Sequence, residues 1–276
     1  MANASKVDIT SSAGFVSHDS ILLTHGYTTP RVFVLLHGLT ASPRQFAEFG
    51  AMLFARGSNV VIPRLPRHGL ADRLTTELEG LTADELRAFA RETVEKAQTL
   101  GEAVVVVGFS VGGLLAAWIG QHVAIERATC IAPFLGVAWI PHGLTARAAR
   151  ATLAMPNQFC WWNPLVRERM LPAHGYPRFA THAVAQAASL AGEVLASARA
   201  DGPAARDVQI VLNASESTVS NGAVRDLARR WQARRSDGII LHQLHGLPLS
   251  HDIIEPGGSS ALANRVYPTL VRLVDR

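Results

Sequence analysis

The chain has 276 residues, 48% of them hydrophobic and 17% charged, with a formal charge of +4, a balance that supports one large core, with or without an inserted subdomain, and excludes a disordered chain. Arginines carry much of the positive charge and are spread over a helical stretch (Arg225, Arg229, Arg230, Arg234, Arg235) without interleaved aromatics, the pattern of a solvated surface rather than of a nucleic-acid binder. Cys130 and Cys160 form no metal-ligand spacing, and neither a signal-peptide core nor an apolar run of about 18 residues occurs; the expectation is a cytoplasmic protein with no metal and no integral membrane segment.

In chain order, "GFVSHDSILLTHG" (14–26) suggests a hairpin, and "RVFVLLHG" (31–38) predicts a buried strand ending in glycine. Ser42-Pro43-Arg44-Gln45 has the form of a capping box with proline at the first helical position. Phe46, Phe49, Leu53 and Phe54 then share a face, and Gly57 stops the helix. "SNVVIPRL" (58–65) is a second strand. Thr82-Ala83-Asp84-Glu85 is another capping box, followed by Leu86, Phe89, Ala90, Ala97 and Leu100 at helical spacing. "EAVVVVGFS" (102–110), "RATCIAPF" (127–134), "DVQIVLNA" (207–214) and "GIILHQLHG" (238–246) complete six strand-like runs. Runs that are apolar at every position fit strands covered on both faces, as in a parallel sheet. Helices are expected from Val111, from Val219 and over about 259–275. Between Phe134 and Arg206 no strand is evident, and the economical reading is a helical cap (134–206) inserted into a core made of 1–133 and 207–276.

Gly108-Phe109-Ser110-Val111-Gly112 closes the four-valine strand and opens an apolar helix. Gly-x-Ser-x-Gly in that context is a tight strand-to-helix turn that lifts the serine hydroxyl above the C-terminal edge of the sheet. A serine needs a base, and the base an orienting carboxylate. His251, in the loop "LHGLPLSHDII" after the last strand, is expected on the same edge; His242 and His245 lie in or at the end of that strand. Glu216 is the one carboxylate in the turn "NASESTVSN" after strand 208–213, whereas Asp207 and Asp237 precede strands and Asp252 adjoins the histidine itself. For the oxyanion, main-chain N–H groups of Leu39, in the loop "LLHGLTASP", and of Val111, at a helix N-terminus, are the candidates. His37 is expected to fix that loop rather than to transfer protons.

The order serine, carboxylate, histidine, with "HG" upstream, resembles the α/β-hydrolase superfamily. Within it, "VLLHGLTASPRQFAEFGAMLFARGSNVVIPRLPRHG", "GFSVGG", "ESTVSN" and "LSHDII" resemble the monoacylglycerol lipase/carboxylesterase group. The resemblance covers most of the chain outside the insertion. It implies a mostly parallel eight-stranded sheet flanked by helices, with a cap where the insertion lies. It also implies a structural role for Arg67 and His68 in "RLPRHG". The acid of that group is usually aspartate; here Glu216 stands one methylene longer. The chemistry implied is acyl transfer without a cofactor, on a small-molecule ester such as a medium-chain or monoacylglycerol-like substrate. Thioesterase, amidase, lactonase or acyltransferase chemistry, or ligand binding without catalysis, are the alternatives. Trp139, Phe159, Trp161 and Trp162 are the candidates for the substrate pocket, with Met155 and Met170 beside them; a role as the cap's own core is the alternative.

Overall fold

Nine strands and seven α-helices are present in the computed structural model, which describes residues 19–165, 167, 174–255 and 260–275. Seven strands form the main sheet in the order β1 (Ile21–Leu23), β3 (Asn59–Ile62), β2 (Thr29–Leu36), β4 (Gly101–Phe109), β5 (Arg127–Ile131), β8 (Asp207–Asn213), β9 (Ile239–Leu244). Only β1 runs antiparallel to its neighbour. Among the described residues the sheet therefore has seven strands, not the eight that the family resemblance implies. Of the N-terminal hairpin, only β1 falls within the described residues, and residues 14–18 lie outside them. The six apolar runs all become strands, because valine and isoleucine on both faces of β2, β4 and β5 are covered by helices. The helices on these strands are α1 (Ala47–Phe54), α2 (Ala83–Ala97) and α3 (Val111–His122); α6 (Asn221–Arg234) packs on β9, α5 (Thr181–Ala200) packs on other helices, and α7 (Ser260–Val274) follows β9 in the chain. No helix among the described residues is long and apolar enough to cross a membrane.

Two sequence motifs of the same form have different outcomes. At Thr82 the capping box is complete: the Thr82 side chain accepts from Glu85 N–H and the Glu85 carboxylate accepts from Thr82 N–H. At Ser42 it is absent. Residues Pro43–Phe46 form a single 3-10 turn before α1, and neither Ser42 nor Gln45 caps it. Both side chains are instead buried and turned toward other loops.

The stretch from 134 to 206 joins β5 to β8, which are neighbours in the sheet. It contains α4 (Thr145–Leu153), β6 (Phe159–Trp161), β7 (Arg178–Ala180) and α5. The expectation of no strand fails here, because β6 and β7 pair antiparallel, with Cys160 opposite Phe179. The 20-residue α5 packs on α4 and also on α3. Trp118 donates to Glu193 across that second interface (3.1 Å). Its inner face is mainly alanine, which lets the helices approach closely.

Candidate active site

The turn after β4 shows why glycine flanks the serine. A Cβ on Gly108 would lie 1.9 Å from the Gly112 carbonyl oxygen, and one on Gly112 would lie 1.9 Å from the Leu36 carbonyl oxygen. Neither position admits a side chain. Ser110 between them has φ 56° and ψ −114°, a region costly for a residue with a Cβ, by about 1–3 kcal/mol. Backbone hydrogen bonds hold it there: Ser110 N–H donates to Ile131 O (3.0 Å), and its carbonyl accepts from Leu114 and Phe134 N–H (both 2.9 Å).

Ser110, His251 and Glu216 come together from the ends of β4, β9 and β8. The Ser110 hydroxyl donates to His251 Nε2 (2.8 Å), and His251 Nδ1–H donates to Glu216 Oε2 (2.8 Å). The Glu216 side chain is fully buried and that of His251 is partly exposed. The other carboxylate oxygen, Oε1, accepts from Thr218 N–H (2.7 Å) and Val219 N–H (3.3 Å). Burial pushes the Glu216 carboxyl up. The His251 hydrogen bond and charge, with the two N–H donors, outweigh it and hold the group below the ordinary carboxylate range. Residue 216 is thus a carboxylate able to orient an imidazole and to stabilise its charged form. The loop that carries His251 is fastened to the Glu216 loop by Asn213, whose Nδ2 donates to Pro248 O (2.9 Å) and Ser250 O (3.3 Å), and by Ser217 Oγ donating to Leu249 O (3.1 Å).

Leu39 and Val111 both line the space above Ser110, and their N–H groups donate to no protein acceptor among the described residues. The orientation of Leu39 N–H follows from the planarity of its peptide unit. The Gly38 carbonyl, in the same plane and pointing the opposite way, accepts from His37 Nδ1–H (2.9 Å) and Ala41 N–H (3.2 Å). His37 Nε2 accepts from Leu65 N–H (3.1 Å), so its proton sits on Nδ1. Burial, then the neighbouring His68, Arg64 and His174, keep this imidazole well below the usual histidine range and neutral. His68 is also buried, and its pKa is pushed down to about 4. Both histidines hydrogen-bond to backbone groups of the neighbouring loops, His68 through Nδ1–H to Pro66 O (2.7 Å).

Gln45 and Asp252 were not legible as site residues. Gln45 Oε1 accepts from Gly38 N–H (2.9 Å) and its Nε2 donates to Asp252 Oδ2 (2.8 Å). One buried amide therefore links the Leu39 loop to the residue after His251. Thr40, at φ 65°, ties the same loop to the inserted stretch: its hydroxyl accepts from Trp162 Nε1–H (2.8 Å) and its carbonyl from Tyr176 N–H (2.7 Å).

A cavity of about 540 Å³ opens on Ser110, walled largely by apolar side chains. Trp139 and Trp162 line it. Phe159 and Trp161 do not, which corrects their assignment to the substrate pocket. They occupy alternate positions of β6 and lie under Arg178 (4.4 Å) and Arg167 (5.6 Å) respectively. Strand alternation gives the cavity face to Cys160 and to its partner Phe179. With them stand Val184, Ala185 and Ala188 of α5. Met155 is exposed and outside the lining; Met170 lies outside the described residues.

A sheet of this topology, with such a serine, histidine and carboxylate at its C-terminal edge, defines a class. Residues 33–262 match the alpha/beta hydrolase family, and the chain belongs to it. No curated protein matches the chain. Among solved structures it is similar to the monoacylglycerol lipase of Paleococcus ferrophilus, with 13% identity, TM-score 0.70, and coverage of 94% of this chain and 98% of that one. It is similar to a soluble variant of the monoglyceride lipase of Saccharomyces cerevisiae in complex with a substrate analogue, with 13% identity, TM-score 0.70, and coverage of 95% and 94%. The enol-lactonase of Burkholderia xenovorans LB400 is also similar, with 14% identity, TM-score 0.59, and coverage of 93% and 96%. At these identities the likeness is one of fold.

Proposed function

We propose that the protein is a serine hydrolase that cleaves carboxylic esters, with medium-chain or monoacylglycerol-like acyl groups, through an acyl-enzyme on Ser110. The observation that carries this reading is the unbroken hydrogen-bonded line from Ser110 through His251 to the buried Glu216, at the mouth of an apolar cavity. Residues 134–206 act as the cap, over a core of 1–133 and 207–276.

His251 Nε2 takes the hydroxyl proton as Ser110 Oγ attacks the ester carbonyl. The carbonyl oxygen becomes an oxyanion held by Leu39 and Val111 N–H, each worth roughly 3 kcal/mol of barrier. Collapse of the tetrahedral intermediate breaks the bond to the alcohol oxygen, which leaves with the proton from His251. Water, deprotonated by His251, then attacks the acyl-enzyme, and the acid is released with Ser110 restored. The chemistry draws on no cofactor. The acyl chain lies along Trp139, Cys160, Phe179 and Val184.

The test is hydrolysis of p-nitrophenyl esters from C2 to C16 by the wild type and by Ser110→Ala, with fluorophosphonate labelling of the wild type. Turnover with a chain-length optimum, lost in the variant by at least about 10⁴-fold, is expected. Turnover that survives Ser110→Ala overturns the reading.

A further inference from the structure

A second cavity, of about 410 Å³, opens on Ser110 and His251 beside the apolar one, and Trp162 lines both. Gln45 and Asp252 meet in its wall (2.8 Å). Gln45 stands on the turn Pro43–Phe46 and is buried. Asp252 follows His251 directly, but its hydrogen bonds lead elsewhere. Oδ1 accepts from Ile254 N–H (3.1 Å) and Glu255 N–H (3.0 Å), and Oδ2 accepts from Gln45 Nε2–H. The two partners of the Gln45 amide decide which way round it lies. Gly38 N–H can only donate, and Asp252 accepts in all its contacts, so Oε1 must face the glycine and Nε2 the aspartate. With the amide reversed, nitrogen would meet N–H at one end and oxygen would meet carboxylate at the other. Gly38 is thereby held on both sides. Gln45 fixes the peptide unit before it; His37 Nδ1–H and Ala41 N–H fix the unit after it through its carbonyl. That second unit carries the Leu39 N–H, and a planar unit held by its carbonyl has the direction of its N–H fixed as well.

We propose that Asp252 and Gln45 are positioning residues for the oxyanion donor: Asp252, on the loop of the base, sets the Gln45 amide, which holds Gly38 and so aims Leu39 N–H at the ester oxygen. The two carboxylates near His251 then act on different parts of the machinery. Glu216 orients the imidazole, and Asp252 orients a peptide unit more than 200 residues away in the chain. One hydrogen-bonded frame sets the distance between base and oxyanion donor. The inference rests on the ester-hydrolase reading.

The experiment exchanges the polarity of the pair. Gln45→Glu alone sets carboxylate against carboxylate. Asp252→Asn alone sets N–H against N–H at one end of the glutamine or the other. The double variant restores an acceptor for Gly38 N–H and a donor–acceptor pair between 45 and 252, with the total charge unchanged. Two quantities are read: kcat on a p-nitrophenyl ester, and the ratio of kcat/KM for that ester over its thionoester, whose sulfur takes weaker hydrogen bonds from the oxyanion donors. Each single variant is expected to lower kcat by about 10- to 100-fold, with KM changed by less than about threefold, and to lower the ratio by at least about fivefold. The double variant is expected to return both to within about threefold of the wild type. The ratio is internal to one protein, so partial loss of fold does not mimic its fall. Single variants as fast as the wild type overturn the proposal, and so does a double variant as slow as the singles. A fall in kcat with the ratio unchanged also overturns it, in favour of a role in folding alone. A wild type that turns over no ester and takes no fluorophosphonate overturns the hydrolase reading, and the catalytic role of the pair with it; ester turnover by the wild type with no loss in the single variants overturns this inference and leaves that reading standing.

Discussion

The turn at Ser110 and the short β6–β7 pair both shape the space where substrate would lie, but they are specified in opposite ways. At the turn, backbone sterics decide: Gly108 and Gly112 have carbonyl oxygens where a Cβ would be, so the local sequence admits few alternatives. At β6–β7 the outcome hangs on the parity of three residues. A shift of one position would present Phe159 and Trp161 to the cavity in place of Cys160. The proposed nucleophile sits on the sterically fixed element, and part of the cavity wall on the one set by strand parity.

Substitutions sharpen this contrast, beginning where the largest loss is expected. Glu216→Gln removes the charge that orients His251 and should lower kcat by about 10³- to 10⁴-fold with little change in KM; steady-state kinetics on a p-nitrophenyl ester would show it, and a loss below tenfold would mean that another group orients the base. Gly112→Ala should destabilise the fold by at least about 3 kcal/mol, since a backbone oxygen cannot move aside as a side chain can. Urea unfolding followed by tryptophan fluorescence measures it, and a midpoint unchanged from wild type would contradict the close approach.

Acid sensitivity of stability is the next effect in size. His68 takes a proton at about 4 when folded and near 6.5 when unfolded, and His37 is shifted in the same direction. Between these values the unfolded chain binds more protons, so stability rises with pH. It should be complete above about pH 6.5 and fall, as pH drops toward 4, by up to about 1.4 kcal/mol per pH unit per histidine. Glu216 contributes in the same sense, its part being present above the ordinary carboxylate range and lost as pH falls through its depressed folded value. Unfolding midpoints measured from pH 7.5 to 4.5 should decline steadily; His68→Gln should flatten the curve, and an unflattened curve would remove His68 from the account.

Gln45→Ala frees the Gly38 N–H and Asp252 together and should cost roughly 10- to 100-fold in kcat through misplacement of Leu39 N–H. A rise in KM alone would assign Gln45 to binding instead. The smallest effects test strand parity. Cys160→Leu should shorten the preferred acyl chain while Trp161→Ala leaves the preference unchanged, and the reverse result would place the other face of β6 toward the cavity.

How much of this was legible in the sequence depended on the range of the interaction that decides each feature. The six strands, the helix at Val111 and the Thr82 capping box are local, set by apolar runs, glycines and a three-residue spacing. Ser110, His251 and Glu216 were legible because each follows a strand, and parallel strands bring their C-terminal ends to one edge. Ser42 and Gln45 carry the same local signal as Thr82 and Glu85, but partners 132 and 207 residues away, His174 and Asp252, claim their side chains. No local pattern separates the two cases. The β6–β7 pair was missed because three-residue strands give too little alternation to register against tryptophan and proline neighbours.

Thr40 joins two events that a reader of the triad alone would treat as separate. Its hydroxyl and carbonyl are both held from the inserted stretch, by Trp162 and Tyr176, while the residue before it supplies the Leu39 N–H. Trp162 is also part of the wall of both cavities. If Leu39 N–H is the oxyanion donor proposed above, a displacement of that wall should pull on the peptide next to it. On that proposal, entry to the cavity and the placement of Leu39 N–H are mechanically linked through Thr40.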